Sequence, residues 1–256
     1  MQIEGHDALI LENDLLRVVL VPGVQALIHE LIFKPKNLNV LHESKFGLHE
    51  NSGRWTEIHG PYRASLLNQS ARSCAILLKG DNDSVTRTYS LRDNDAVLRI
   101  DSTRENHSDT DIDLLWAERL TLGERMIDEH CRIETPATSY FDPAEQPILR
   151  MRWPHLADGT DISHFQKTEA ALGRSFYLTD FSEGRCRVSS PTKGAAFEMR
   201  WDASQFPYCW LTSYQNDLTL VPATGMPDAL IDGHGFITLP PGARETAWFE
   251  AGVSEI

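Results

Sequence analysis

Ten histidines, four cysteines and 37 acidic side chains in 256 residues offer raw material for metal binding and nucleophilic catalysis, but their spacing supports neither. Cys74, Cys131, Cys186 and Cys209 form no Cys-x-x-Cys pair and have no histidine nearby at ligand spacing. Reduced, mostly buried thiols are expected. His29, His42, His49, His107, His130, His164 and His234 show no metal-ligand pattern either. There is no phosphate loop, dinucleotide fingerprint, Gly-x-Ser-x-Gly or His-Glu-x-x-His, so neither a cofactor nor a metal is expected. What remains is chemistry of another kind. Trp153-Pro154-His155 places an indole where it can stack on the apolar face of a sugar ring or, equally, pack a long loop onto the core. Arg119 sits in a run whose alternation turns it away from Trp116 and Leu120, toward a binding face or an ion pair with Asp111 or Asp113.

The elements that must position these residues are strands. Leu15 to Val21 is a continuous apolar run of strand length, stopped by Pro22-Gly23. Gln25 to Phe33 and Leu38 to Leu41 bracket the turn Lys34-Pro35-Lys36-Asn37. Arg63 to Lys79 can hold two strands or one long strand and is closed by Gly80-Asp81-Asn82-Asp83. Val85 to Leu91 and Ala96 to Ser102 form a hairpin, and Asp111 to Leu122 alternates apolar with polar, with a bulge or bend expected at Glu118. Glu134 to Gly159 reads as long connections, and Gln166 to Leu172 as the one short helix. Strands return at 175–179, 185–189, 195–201, 208–214, 218–221, 236–239 and 245–253, with Tyr208 and Trp210 expected in the core. This is an all-β chain, mostly antiparallel, of the sandwich or closed-sheet kind.

Composition narrows the partners. The formal charge of −13 opposes nucleic acid and anionic membrane surfaces, and fits a small, neutral or locally held ligand better. A hydrophobic fraction of 41% with no 18-residue apolar run excludes a membrane-spanning helix. The opening Met-Gln-Ile-Glu-Gly-His-Asp has no basic region followed by an apolar one; no secretory signal is visible, and a cytoplasmic location is expected. One domain spanning 1–256 is expected from the length and the even composition. The oligomeric state is left open.

Five local features, in order, make the chain resemble the aldose 1-epimerase (galactose mutarotase-like) superfamily, a β-supersandwich fold. They are Leu11-Glu12-Asn13-Asp14-Leu15-Leu16 with Val21-Pro22-Gly23; His59-Gly60 with Arg63; Asn106 followed by Trp116-Ala117-Glu118-Arg119-Leu120-Thr121-Leu122-Gly123; Phe206-Pro207-Tyr208-Cys209-Trp210 with Leu220-Val221-Pro222-Ala223-Thr224-Gly225-Met226-Pro227; and Leu239-Pro240-Pro241-Gly242. The resemblance implies a sugar held in a concave β-sheet cleft and interconversion of its anomers. That reaction protonates the ring oxygen while a base removes the anomeric hydroxyl proton. In the family a histidine in the second motif is the acid, a glutamate in the last motif is the base, and the first histidine helps hold the sugar.

Here the first histidine is present as His59, but Arg119 takes the place of the acid, with Glu118 before it, and Val221 replaces the base. Arginine keeps its proton at neutral pH and valine has nothing to accept one. The nearest carboxylates, Asp217 and Asp228, are off register. The resemblance therefore implies a sugar-binding protein in which His59 takes a proton-transfer role as an isomerase with a different acid/base set, or one that binds or senses carbohydrate without catalysis. Arg63, Arg119, Glu118, Trp153 and His155 are the expected substrate contacts. The two arginines suit an anionic group on the sugar, a uronate carboxylate or a phosphate.

Overall fold

The computed structural model describes residues 1–42, 62–70, 73–80, 84–143, 149–164, 174–214, 217–227 and 235–256. His59, the expected helix at 166–172 and Asp228 lie outside these residues. No helix among the described residues is long and apolar enough to cross a membrane. The chain divides into two compact units, 1–114 with 238–252 and 115–237 with 253–256.

The first unit opens with a hairpin, β1 (Gln2–Ile3) and β2 (His6–Asp7), whose turn residues Glu4 and Gly5 both take positive φ. Next come β3 (Leu9–Glu12), β4 (Leu16–Val21), β5 (Leu27–Phe33) and β6 (Leu38–Asn39), which form a sheet in that order. Val18, Val19, Leu20 and Val21 of β4 are all buried, so the strand is covered on both faces; this is why its sequence is an unbroken apolar run. β5 starts at Leu27 because Gln25 and Ala26 are in the left-handed region and belong to the preceding turn. At the next turn Asn37 takes the same conformation, at φ 47, and ends a short 3-10 segment.

Arg63 to Lys79 is two strands, β7 (Arg63–Ser70) and β8 (Ser73–Lys79), followed by β9 (Val85–Arg92), β10 (Val97–Glu105) and β11 (Ile112–Leu114). β7, β8, β9 and β10 pair as an antiparallel meander. The Tyr89 hydroxyl reaches across to the carbonyl of Ala26, 3.3 Å away, tying this meander to the first sheet.

The second unit holds β12 (Leu120–Leu122), β13 (Arg132–Glu134), β14 (Ala137–Phe141), β15 (Arg150–Arg152), β16 (Ser175–Phe181), β17 (Gly184–Ser190), β18 (Ala195–Trp201), β19 (Tyr208–Tyr214) and β20 (Asp217–Ala223). Six of them form a sheet in the order β12-β20-β19-β16-β14-β15, and β13, β17 and β18 pair in sequence beside it. The segment from 134 to 159 is thus not all connection: it carries β14 and β15, short strands fixed by the pairing of β14 with β16 and of β15 with β14. One face of the six-stranded sheet is core. Leu120, Leu122, Leu218, Leu220, Cys209, Leu211, Phe176, Leu178 and Tyr140 are buried there. Cys209 lies near Cys186 of β17, and the Phe181 ring meets Trp201 of β18 edge-on at 5.4 Å.

The chain ends with β21 (Ile237–Leu239), paired with β11, and β22 (Arg244–Glu255), whose first nine residues pair with β10. Asn106 staples this end of the first unit. It is fully buried; its amide donates to the carbonyls of Thr110 and Leu239, both at 2.7 Å, and its side-chain oxygen accepts from the Ser108 N–H and hydroxyl.

Candidate functional site

The face of the six-stranded sheet opposite its core carries the residues of interest. β12 and β20 pair through Leu120↔Leu220, Thr121↔Thr219 and Leu122↔Leu218. Upstream, Ala117 bridges Ala223 in the same register, and the Glu118 N–H donates to the Pro222 carbonyl at 3.0 Å. Arg119 therefore stands opposite Val221. The register passes through Glu118 without an extra residue, so the bulge expected there is absent. Because directly opposed residues share a face, Arg119, Thr121, Thr219 and Val221 lie on one side, while Glu118, Leu120 and Pro222 lie on the other.

The next strands extend that face. Val221 opposes Trp210 of β19, and Trp210 opposes Tyr177 of β16, with the two rings edge-on at 6.2 Å. One row is therefore Arg119, Val221, Trp210 and Tyr177. The adjacent row is Thr121, Thr219, Thr212 and Ser175, in which Thr121 bonds Thr219 at 3.0 Å and Ser175 bonds Thr212 at 2.9 Å. Each hydroxyl can both donate and accept, so the paired hydroxyls retain capacity for a ligand. Tyr208, opposite Ala223, adds a second half-buried phenol.

A clamp holds β12 and β20 in this register. The Thr224 N–H donates to the Trp116 carbonyl at 2.9 Å, and the Trp116 N–H donates to Thr224 Oγ1 at 3.1 Å. The turn after β20 folds back so that the Trp210 indole N–H donates to the Gly225 carbonyl at 3.1 Å. Trp116 itself is buried against Phe206, edge-on at 5.6 Å.

The electrostatics of this face centre on Arg119. It pairs with no carboxylate among the described residues; of its two candidate partners, Asp113 instead accepts from the Thr238 hydroxyl at 2.7 Å. Arg119 keeps solvent-exposed surface, yet desolvation lowers its pKa. A side chain that is accessible and still desolvated has protein on several sides of it. It remains a cation at neutral pH. All four cysteines are free; Cys131, Cys186 and Cys209 are buried, which raises their thiols and pushes that of Cys209 up to about 12, away from nucleophilic use.

The other expected contacts lie on other strands and loops. Arg63 is exposed at the start of β7, in the first unit. Trp153 is buried, with its ring edge-on to Tyr140 at 6.2 Å; Tyr140 in turn meets Phe176 at 5.3 Å, on the core face. That is the loop-packing arrangement, on the side away from Arg119. His155 is exposed and bridges Asp161. Trp210, expected in the core, is buried, and Tyr208, expected there too, is half-buried; both share the face of Val221, which is buried as well. Tyr177 and the hydroxyl row were not singled out by the sequence. Their signal was the alternation of Ser175, Tyr177 and Thr179, polar and aromatic residues on the side opposite Phe176 and Leu178.

No family model matches the sequence, and no curated protein does either. Known structures do. A TPR-domain-containing protein from Parabacteroides distasonis superposes with a TM-score of 0.75 at 13% identity, over 97% of this chain; this chain spans 47% of that one. A galactose mutarotase-like protein from Lactobacillus casei matches with a TM-score of 0.71 at 14% identity, over 97% of this chain and 100% of its own. An aldose epimerase homologue from C. elegans matches at 0.67 and 12%, over 98% and 99%. At these identities the likeness establishes the architecture: this chain has the galactose mutarotase-like β-sandwich fold, in a strongly diverged sequence.

Proposed function

We propose that the chain is an aldose 1-epimerase-like protein that binds a sugar on the Arg119–Val221 face, with residues 1–256 acting as one cytoplasmic carbohydrate-binding domain. The observation that carries this reading is the row Arg119, Val221, Trp210 and Tyr177 beside a row of four hydroxyls. A sugar ring presents C–H faces that suit aromatic rings and a rim of hydroxyls that suits Thr and Ser. The arginine favours an acidic sugar over a neutral one. A net charge of −13 argues against nucleic acid and anionic membranes as partners.

As an enzyme, such a protein is an isomerase with a non-standard acid/base set. Neither Arg119 nor Val221 can exchange a proton at neutral pH, so proton transfer is assigned to His59 on the strength of its His-Gly-x-x-Arg motif. The same pair favours a second reading, a carbohydrate-binding or sensing protein without turnover. NMR exchange between anomers, measured on a panel of neutral and acidic sugars with wild type and His59→Ala, separates the two. Acceleration lost in His59→Ala supports the isomerase. A ligand-induced thermal shift without acceleration supports the binding protein. Neither effect with any sugar would reject both.

A further inference from the structure

A strand at the edge of a sheet presents unpaired N–H and C=O groups to any other strand, and short edges limit that hazard. Among the described residues, every strand that ends a sheet is two to four residues long, with one exception. β7 runs for eight residues, Arg63–Ser70; it pairs with β8 on one side and with no described strand on the other. Residues 63 to 69 are all exposed, with Leu66 at 63% and Leu67 at 54%. The strand has no proline, lysine or carboxylate to discourage pairing. Its only protection is a bulge: the register on β8 shifts between Leu66 and Asn68, so Leu67 opposes no residue of β8.

Charge and symmetry select the occupant. A formal charge of −13 sets two copies of the chain against each other over most of their surface, but none of the 37 acidic residues falls between Glu57 and Asp81, the stretch that holds β7 and β8. The strand is also complementary to itself. Antiparallel pairing about a twofold axis between Leu66 and Leu67 sets Leu66 of each copy opposite Leu67 of the other, Ala64 opposite Gln69, and Ser65 opposite Asn68. The two bulges then coincide at the axis, and residues 63–65 of each copy are left to pair with 68–70 of the other. The two Arg63 residues end about 23 Å apart, seven residues at about 3.3 Å each, where salt screens their repulsion.

We infer that β7 is a self-association edge, on which a second copy of this chain docks in antiparallel register centred on Leu66 and Leu67. The contact line is about 26 Å long and one strand deep. That is smaller than a standard interface of roughly 1,600 Å², so the dimer is weak and dissociates on dilution. The inference does not depend on what the chain binds or whether it turns over a sugar.

Sedimentation velocity of the full chain over about a hundredfold range of concentration tests it. The mass rises from that of a monomer toward that of a dimer. Leu66→Lys with Leu67→Lys sets like charges opposite each other at the axis and weakens the dimer about tenfold or more; Leu66→Glu with Leu67→Glu does the same. Both pairs of substitutions are at exposed positions, and circular dichroism and urea midpoints check that the variants fold. Mixing the lysine variant with the glutamate variant places each lysine opposite a glutamate and restores association. A monomer at every concentration would overturn the inference and leave this edge to a strand of another protein. A dimer that persists unchanged in the folded lysine variant would overturn it by placing the interface elsewhere, and failure of the two folded variants to associate when mixed would overturn the register.

Discussion

Arg119 stands opposite Val221 in a register that runs unshifted from the Ala117↔Ala223 bridge to Leu122↔Leu218. The two positions to which the family resemblance assigns acid and base are thus neighbours on one sheet face, and neither arginine nor valine can exchange a proton there at neutral pH. The Pro-Ala-Thr-Gly-Met-Pro turn has a structural role of its own: Thr224 clamps the strand that carries Arg119 to the strand that carries Val221.

Removing that clamp should be costly. Thr224 is buried, and its hydroxyl is the acceptor for the buried Trp116 N–H. Thr224→Val removes that acceptor and lowers stability by about 1–3 kcal/mol, while Thr224→Ser retains most of it. Urea denaturation of both variants checks this; a valine variant as stable as wild type would show that the clamp is not needed.

Asn106, in the first unit, makes four side-chain hydrogen bonds, two donated and two accepted, all at 2.9 Å or shorter. Asn106→Ala costs about 3 kcal/mol. Asn106→Asp, nearly identical in shape, is also strongly destabilising because it turns an acceptor toward the carbonyls of Thr110 and Leu239. If the aspartate variant unfolds at the wild-type urea midpoint, this donor assignment is wrong.

Acid should loosen the second unit through Asp128. Burial raises the pKa of its carboxyl, but hydrogen bonds from Ser190 Oγ and the His130 N–H, with Lys193 nearby, outweigh this and hold it below its ordinary 3.8. The folded-state pKa is depressed, so the stabilisation is present above the unfolded value and is lost as the pH falls through the folded one. Asp180, through Arg150, acts in the same direction. Urea midpoints should fall below about pH 4, with a shallower slope in Asp128→Asn. An identical slope in that variant would remove Asp128 from the account.

The strands most legible in the sequence were those with clean alternation between turn residues. Ala195–Trp201 and Tyr208–Tyr214 have the bounds the pattern implies. Arg132–Glu134 and Arg150–Arg152 were hidden because three residues do not complete two periods, and the partner of the first, Arg187 to Ser189, lies far along the chain. The orientation of Arg119 was readable from its neighbours Trp116 and Leu120. Its row was not: Val221, Trp210 and Tyr177 come together only through the registers of three strand pairings, which no local pattern encodes. Trp153 was ambiguous for a physical reason, since an indole suits a sugar face and a core equally well, and only its contact with Tyr140 places it.

Introducing at Arg119 and Val221 the acid and base that the resemblance implies tests that alignment. Val221→Glu alone puts a carboxylate at a position 7% exposed and destabilises by about 2 kcal/mol or more. Arg119→His with Val221→Glu supplies an acid and a base on the same face and should give anomer exchange above buffer by NMR. No gain in a folded double variant would show that other site residues have diverged as well.

The most direct test of the central claim is a crystal structure of the chain soaked with an acidic monosaccharide. The account predicts one sugar ring over Val221, with its anionic group on the Arg119 guanidinium and its C–H face toward Trp210 and Tyr177. A sugar bound elsewhere on the chain, with this face empty, would contradict it.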